Sequence, residues 1–315
     1  MQAGDIRQSL RNVRRIAHAG IEACLRGSFK RADTGKQHRK EQIIMVRSLW
    51  TAATGMIAQQ TNIDTIANNL ANVNTQGYKT HVNEFKTLLY QTLQTKTTTA
   101  NGDQKPTTAQ VGLGVRNSAI TTIFKQGNQL ASESDTDFMI DGKGFFALRG
   151  TDGNTYYTRN GNFQFTLGPN GNMLANSDGL PVLSTTGQPI ILANTYILSD
   201  VSVNKYGELC YPDAKNNPQP IGVRIGLFQF NNPNGLDKMA ETLYAQSAAS
   251  GQPINEATSN MVEKSSVIQN YLEGSNVQVV DEMVNMIVAQ RAYELNSKAI
   301  TTSDEMLQQA NNLKR

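Results

Sequence analysis

His81 is the one histidine after Met45, and an imidazole is the first side chain to consider for proton transfer near neutral pH. A general base needs a placed partner, and the Tyr/Thr/Asn-rich run around His81 offers none, so it reads as a surface residue. Asp135, Asp137 and Asp141 suggest a calcium loop, but the glycine and glutamate positions of an EF-hand are missing. They read instead as turn formers, since Asp and Asn side chains stabilise turns locally. Gly112-x-Gly114 and Gly142-x-Gly144 lack the remainder of a dinucleotide fingerprint or a phosphate loop. Cys24 and Cys210 cannot build a disulfide framework or a cysteine zinc site, and Cys210 reads as a small apolar residue. The sequence therefore predicts no catalytic residue, no cofactor and no metal site, and the reading is not an enzyme.

Charge points away from nucleic acid. The 315 residues carry 29 Lys/Arg and 26 Asp/Glu, a net +3. Residues 1–44 hold ten Lys/Arg against four Asp/Glu, or +6, which leaves 19 against 22, or −3, for residues 45–315. The bulk of the chain thus has no positive footprint for a phosphate backbone. No apolar run of about 18 residues occurs, so no membrane-inserted helix is expected. The basic head also holds His18, His38 and Cys24. His18 and Glu22 interrupt its only apolar stretch, which argues against a secretory signal, and Arg14-Arg15 lacks the apolar stretch that follows a twin-arginine signal. A basic arm is a further reading. The reading preferred here is an upstream extension of the frame, with the chain proper starting at Met45, because a helical pattern begins directly after it.

Both ends beyond that point read as helices. Leu49, Ala53, Met56, Gln60, Ile63, Ala67 and Leu70 fall at heptad spacing, flanked by Ala52, Ile66 and Val73. Asn72, Asn74, Thr75 and Gly77 then end the helix, with Gly77 suited to a left-handed stop. At the far end Val280, Met283, Val284 and Ile287 open a stripe that Val288, Ala292, Leu295, Ala299, Thr302, Met306 and Leu313 continue. These narrow, small-residue stripes suit close packing in an assembly, and an intramolecular helical hairpin is the alternative.

Between the ends the signal is β. Asp141-Gly142, Asp152-Gly153, Asn160-Gly161, Asn170-Gly171, Asp178-Gly179 and Asn234-Gly235 punctuate strand-like runs such as Phe145-Phe146-Ala147-Leu148. The expected fold is mixed α+β. Residues 45–80 with 275–315 make a helical inner domain paired in coiled-coil fashion, and a mainly-β outer domain at 129–249 is inserted between them. Residues 81–128 and 250–274 are expected as extended connectors, the first including a polar, Thr-rich stretch at 92–110.

The segment Ile66 to Lys79 (IANNLANVNTQGYK) resembles the N-terminal signature of the bacterial flagellar rod and hook proteins. Ser275 to Leu307 resembles their C-terminal signature, and the stretch from Asp141 (DGKGFF) through Tyr157 to Phe163 resembles their β domain. The resemblance covers essentially 45–315 and is nearest to the distal rod members. The 271 residues left after the head suit those members, and residues 92–110 stand where they carry a stiffening stretch that hook proteins lack.

That resemblance implies a structural subunit that polymerises helically into a torque-transmitting rod with an export channel. A hook or proximal rod subunit is the alternative, and a secreted β-headed adhesin or a wall-active enzyme lies further off. Implied partners are further copies of the chain, proximal rod, hook and junction proteins, the ring proteins around the rod and the flagellar export apparatus. The implied location is the basal body across the periplasm, reached without a cleaved signal peptide. The residues expected in the inner-tube helices are Leu49, Met56, Ile63, Asn68, Asn69, Leu70, Asn72, Val284, Ile287, Leu295 and Met306. Phe85, three residues, then Leu89 matches an export-gate pattern, the other reading being one face of a helix.

Overall fold

The computed structural model describes residues 36–94, 109–168, 171–213, 215, 217–240, 242–259 and 262–312, with side chains in the first helix from Arg47 onward. Most of the head (1–35) and most of the Thr-rich stretch (95–108) lie outside the described residues, as do Cys24 and His18. The chain divides into a unit Met1–Arg47 and a unit Ser48–Arg315. All contacts below belong to the second.

The architecture is mixed α and β, with a long helix at each end of a mainly-β middle. Helix α1 spans Lys36–Ala71 and helix α2 spans Val279–Asn312. Neither contains proline, and Asp281 and Glu282 sit in the first turn of α2, where the helix dipole favours negative charge. After α1 the chain turns on Gly77, whose φ is +70°. A Cβ there would stand 2.6 Å from the backbone nitrogen of Asn160, so the turn can press against the β body only as glycine.

A long antiparallel ribbon follows. Strand His81–Thr87 pairs with Val115–Thr122, and Tyr90–Gln94 pairs with Ala109–Gly112. The connector expected at 81–128 is therefore largely a hydrogen-bonded ribbon. Its strands satisfy each other's backbone groups, and the large apolar residues they carry, such as Val82, Phe85, Tyr90 and Ile120, stay exposed rather than form a core. Phe85 lies in the first of these strands, so the helix-face reading of Phe85 and Leu89 does not hold.

The β body is built on a six-stranded antiparallel sheet. In spatial order its strands are Asp237–Lys238, Leu243–Ala245, Thr155–Thr158, Phe145–Arg149, Leu227–Gln229 and Ile254–Asn255. In Phe145–Arg149 the side chains alternate between two separate clusters. Phe146 and Leu148 join Phe138, Ile140, Phe163, Leu174 and Val182. Phe145 and Ala147 join Tyr157, Leu183, Phe230 and Tyr244 on the other side. A period of two with apolar residues on both faces explains why this run reads as continuously hydrophobic. Asp152-Gly153 closes the hairpin that joins Phe145–Arg149 to Thr155–Thr158, while Phe163–Gly168 pairs antiparallel with Gly171–Asn176 and Asn170 lies outside the described residues.

Residues 250–274 differ from the extended connector expected for them. Ile254–Asn255 is the edge strand of the large sheet, Ser266–Gln269 pairs with Phe138–Asp141, and Tyr271–Glu273 pairs with Gln129–Ala131. Val267 and Leu272 are buried there. Their burial is hidden in the sequence because each strand is short and carries polar residues, Ser266 and Gln269 in one and Glu273 in the other. Among the described residues no helix is long and apolar enough to cross a membrane.

Candidate functional site

The residues first considered for chemistry are spent on structure. His81 Nδ1 lies 3.2 Å from the Thr122 hydroxyl and 3.3 Å from the Lys238 ammonium. Burial, and then the positive charge of Lys238, bring its pKa down to about 4, so the ring is neutral near pH 7. Asp137 accepts a hydrogen bond from Ser132 Oγ, Asp135 from Asn270 Nδ2 and Asp141 from Gln126 Nε2. The three carboxylates hold separate local contacts. Among the described residues no group of three His, Cys, Asp or Glu could hold a metal ion. Gly142 and Gly144 press on Ser265 and Glu256, which leaves no phosphate cradle. Cys210 is free and buried, and burial pushes its thiol pKa up, away from reactivity.

The two helices meet along small and polar residues. Ser48 Oγ lies 3.3 Å from Ser303 Oγ. A Cβ on Gly55 would stand 2.8 Å from the Asn296 amide nitrogen. Asn69 stands beside Glu282, whose pKa burial raises and the Asn69 amide holds back in part. These contacts step by seven and then by fourteen residues along each helix in opposite directions, and Ala289, on the same row of α2, is buried. The heptad row read from the sequence is therefore offset from the row that makes contact. Leu49, Met56, Ile63 and Leu70 are only half-buried. Ala52, Ala58, Thr65, Ile66 and Asn69 are the buried positions of α1.

On α2 the apolar stripe faces away from the rest of the chain. Val284, Ile287, Leu295 and Met306 are 54, 56, 68 and 53% exposed, and Val280, Met283 and Val288 join them. Trp50 and Ile57 do the same on α1. Phe85 is 40% and Leu89 83% exposed. A contiguous stripe of large apolar side chains left in water is uncommon on a monomer.

The asparagines of α1 organise its end. Asn69 Oδ1 accepts from the His81 backbone nitrogen at 2.9 Å, and its Nδ2 donates to the His81 carbonyl at 2.8 Å. This fixes the ribbon to the helix as a backbone pair would. The Tyr78 hydroxyl donates to Asn68 Oδ1 at 2.8 Å and lies 3.1 Å from Asn69 Oδ1, while Asn72 Nδ2 donates back to the Asn68 carbonyl. Burial lifts the Tyr78 pKa to about 12, so it remains a donor across the physiological range.

Beside this lies a buried ionic cluster that sequence reasoning missed. Lys79 Nζ donates to Glu273 Oε1 and to the Lys125 carbonyl. The Arg159 guanidinium donates to Glu273 Oε2 at 3.2 Å and to the Gly142 carbonyl at 2.7 Å, and it stacks 5.1 Å from the centre of the Phe145 ring. Lys79, Arg159 and Glu273 are 0, 2 and 1% exposed. Burial depresses the pKa of both cations, and Glu273 opposes that shift. Asn276 sits alongside, accepting from Thr80 N and Oγ1 and donating to the Ile123 and Lys125 carbonyls. The sequence signal for the cluster was a charge in two of the quoted motifs, Lys79 at the end of one and Arg159 inside the other.

Comparison with known proteins follows the same division of the chain. Residues 49–79 match the family described as flagella basal body rod protein, and residues 139–211 match the flagellar hook protein FlgE/F/G D1 domain. Residues 268–313 match the C-terminal region of the flagellar basal body rod FlgEFG proteins. The flagellar basal-body rod protein FlgG of Borreliella burgdorferi is 42% identical over 273 residues, covering 86% of this chain and all of that protein. FlgG of Buchnera aphidicola subsp. Schizaphis graminum is 41% identical over 273 residues, covering 85% of this chain and all of that protein. FlgG of Bacillus subtilis is 37% identical over 271 residues, again covering 86% of this chain and its own full length.

Proposed function

We propose, from the premise that this chain belongs to the flagellar basal-body rod family and is a structural subunit of the rod rather than an enzyme, that many copies of it pack helically into the distal rod, which carries torque from motor to hook. The observation that supports this best is the exposed apolar row of α2, Val284, Ile287 and Leu295 with Val280, Met283 and Val288. In this reading α1 and α2 pair as a coiled-coil-like inner domain and line an export channel. Asn68 and Asn72 add an uncharged polar surface that does not trap passing chains. The inner domain takes residues 45–80 with 275–315, and the β body faces outward toward the surrounding ring proteins. The proximal rod, the hook and its junction proteins meet the two ends of the assembly, which spans the periplasm.

Phe85 and Leu89 are exposed at the start of the ribbon, which fits presentation to the export apparatus. Doubly replacing them with Ala is expected to abolish secretion at unchanged intracellular level. Normal secretion with failed assembly would assign them to packing. Residues 92–110 would stiffen the tube by lying against neighbouring copies, because so polar a stretch has no core of its own. Deleting them is expected to give curved tubes, and straight tubes from the variant would place the stiffness elsewhere. The decisive experiment for the whole reading is electron microscopy of basal bodies from cells that lack the gene. Loss of the distal rod is expected, whereas a complete rod without a hook would assign the chain to the hook.

A further inference from the structure

Glu273 collects an unusual set of donors from distant parts of the chain. Its carboxylate accepts from Lys79, from Arg159 and, at 3.0 Å, from the backbone nitrogen of Gly127. Its own carbonyl accepts from the backbone nitrogen of Gly77 at 2.7 Å. Lys79 and Arg159 lie 194 and 114 residues before it. The other carboxylate close enough to influence Arg159 is Glu256, which is also late in the chain and is itself fully engaged by Gln229 and Ser265. Two cations thus enter the interior from early segments, while every carboxylate that balances them arrives after residue 255.

We propose that Lys79, Arg159 and Glu273 form a closing latch, so that the β body completes its fold only when the strand Tyr271–Glu273 delivers the one carboxylate that both buried cations share. Without Glu273, folding the body around Lys79 and Arg159 buries two like charges whose mutual repulsion and lost hydration nothing offsets. The cheaper state keeps both ammonium and guanidinium in water, with the surfaces around Phe145 and Gly142 open. When Tyr271–Glu273 docks beside Gln129–Ala131, one carboxylate satisfies both cations and the Gly127 amide in a single step. Until residues 271–273 arrive, the segments that carry Lys79 and Arg159 therefore stay open. The body closes only as its last strand arrives, whatever the structure it is later built into.

The test is pulsed hydrogen exchange during refolding of the full chain from denaturant. Amides of Phe145–Arg149 and Thr155–Thr158 are expected to gain protection in the same kinetic phase as those of Ser266–Glu273. Protection of Phe145–Arg149 about tenfold sooner than Tyr271–Glu273 overturns the latch. In native-state exchange, Glu273→Gln is expected to lower protection in both regions together by at least about tenfold. Lys79→Met/Glu273→Gln, which removes one buried cation, is expected to recover part of that loss. Loss confined to residues 271–273 in Glu273→Gln, or no recovery in the double variant, counts against the proposal. Should Glu273→Gln fail to fold at all, the refolding order of the unaltered chain still decides.

Discussion

The two helices and the β body use the same residue types in opposite ways. In the body most of the large apolar side chains are inside, and Phe146, Leu148, Leu174, Ile190 and Ile225 have no exposure at all. In α2 the large apolar side chains are outside, while Glu282, Ala289 and Ser303 are buried against the rest of the chain. One region has satisfied its hydrophobic residues by itself. The other has spent its small and polar residues on internal contact and left its hydrophobic ones for something else. Long helices with weak internal contact are marginal in isolation, and tertiary or quaternary packing must supply their stability. The contrast separates what folds alone from what needs copies.

The sharpest way to break this contrast is to remove the outward stripe. Val284→Ser with Ile287→Ser is expected to abolish polymerisation outright, while the unfolding midpoint of the β body stays unchanged in calorimetry. A lowered midpoint would mean that the stripe already stabilises the single chain. On the other side, Phe146→Ala removes a fully buried ring and is expected to cost about 3–5 kcal/mol in denaturant unfolding. Loss of only a few tenths would show that the body is less self-sufficient than its burial implies.

The junction between the regions gives intermediate effects. Asn69→Ala leaves the His81 amide and carbonyl without their partner and is expected to cost about 1–3 kcal/mol. Its signature is faster exchange at the ribbon with the body unaffected. Acid provides a graded version. The His81 pKa falls from 6.5 in the unfolded chain to about 4 in the folded one, so its contribution is complete above 6.5 and is lost as pH falls toward 4. Allowing for the partial exposure of the ring, about 1–2 kcal/mol should disappear over that interval, and His81→Asn should flatten the profile. Equal slopes for both proteins would exclude His81 as the group responsible. The smallest expected effect is at Leu167, 88% exposed at the Phe163–Gly168 hairpin, where Leu167→Ser should change stability by less than about 0.5 kcal/mol.

What was legible in the sequence follows the range of the interactions. The helices and the hairpins are local, and periodicity, Gly77 and Asp152-Gly153 announced them. The strands at 254–255, 266–269 and 271–273 were not visible. Val267 and Leu272 are the buried apolar residues of the last two, Ile254 is only half-buried, and the pairing partners of 266–269 and 271–273 lie up to about 140 residues away in sequence. The Lys79–Glu273–Arg159 cluster is the extreme case, because no local pattern marks a buried ion pair across 194 residues. For the helices, the stripe residues Val284, Ile287, Leu295 and Met306 were visible. The direction in which they point was not, because periodicity gives a face without saying what the face meets.

The seam between α1 and α2 carries one more consequence. Two of its three contacts, Ser48 with Ser303 and Gly55 with Asn296, are chemically permissive, and a slip of one heptad would put similar small or polar groups opposite each other. Such a seam behaves like a vernier scale, with several nearly equivalent settings about 10 Å apart. The third contact ends that equivalence. Asn69 is already committed to both backbone atoms of His81, so Glu282 meets it at one setting only. The ribbon is thus the index mark of the scale. It sets how far α2 reaches along α1, and with it the length of chain that each copy offers to its neighbours.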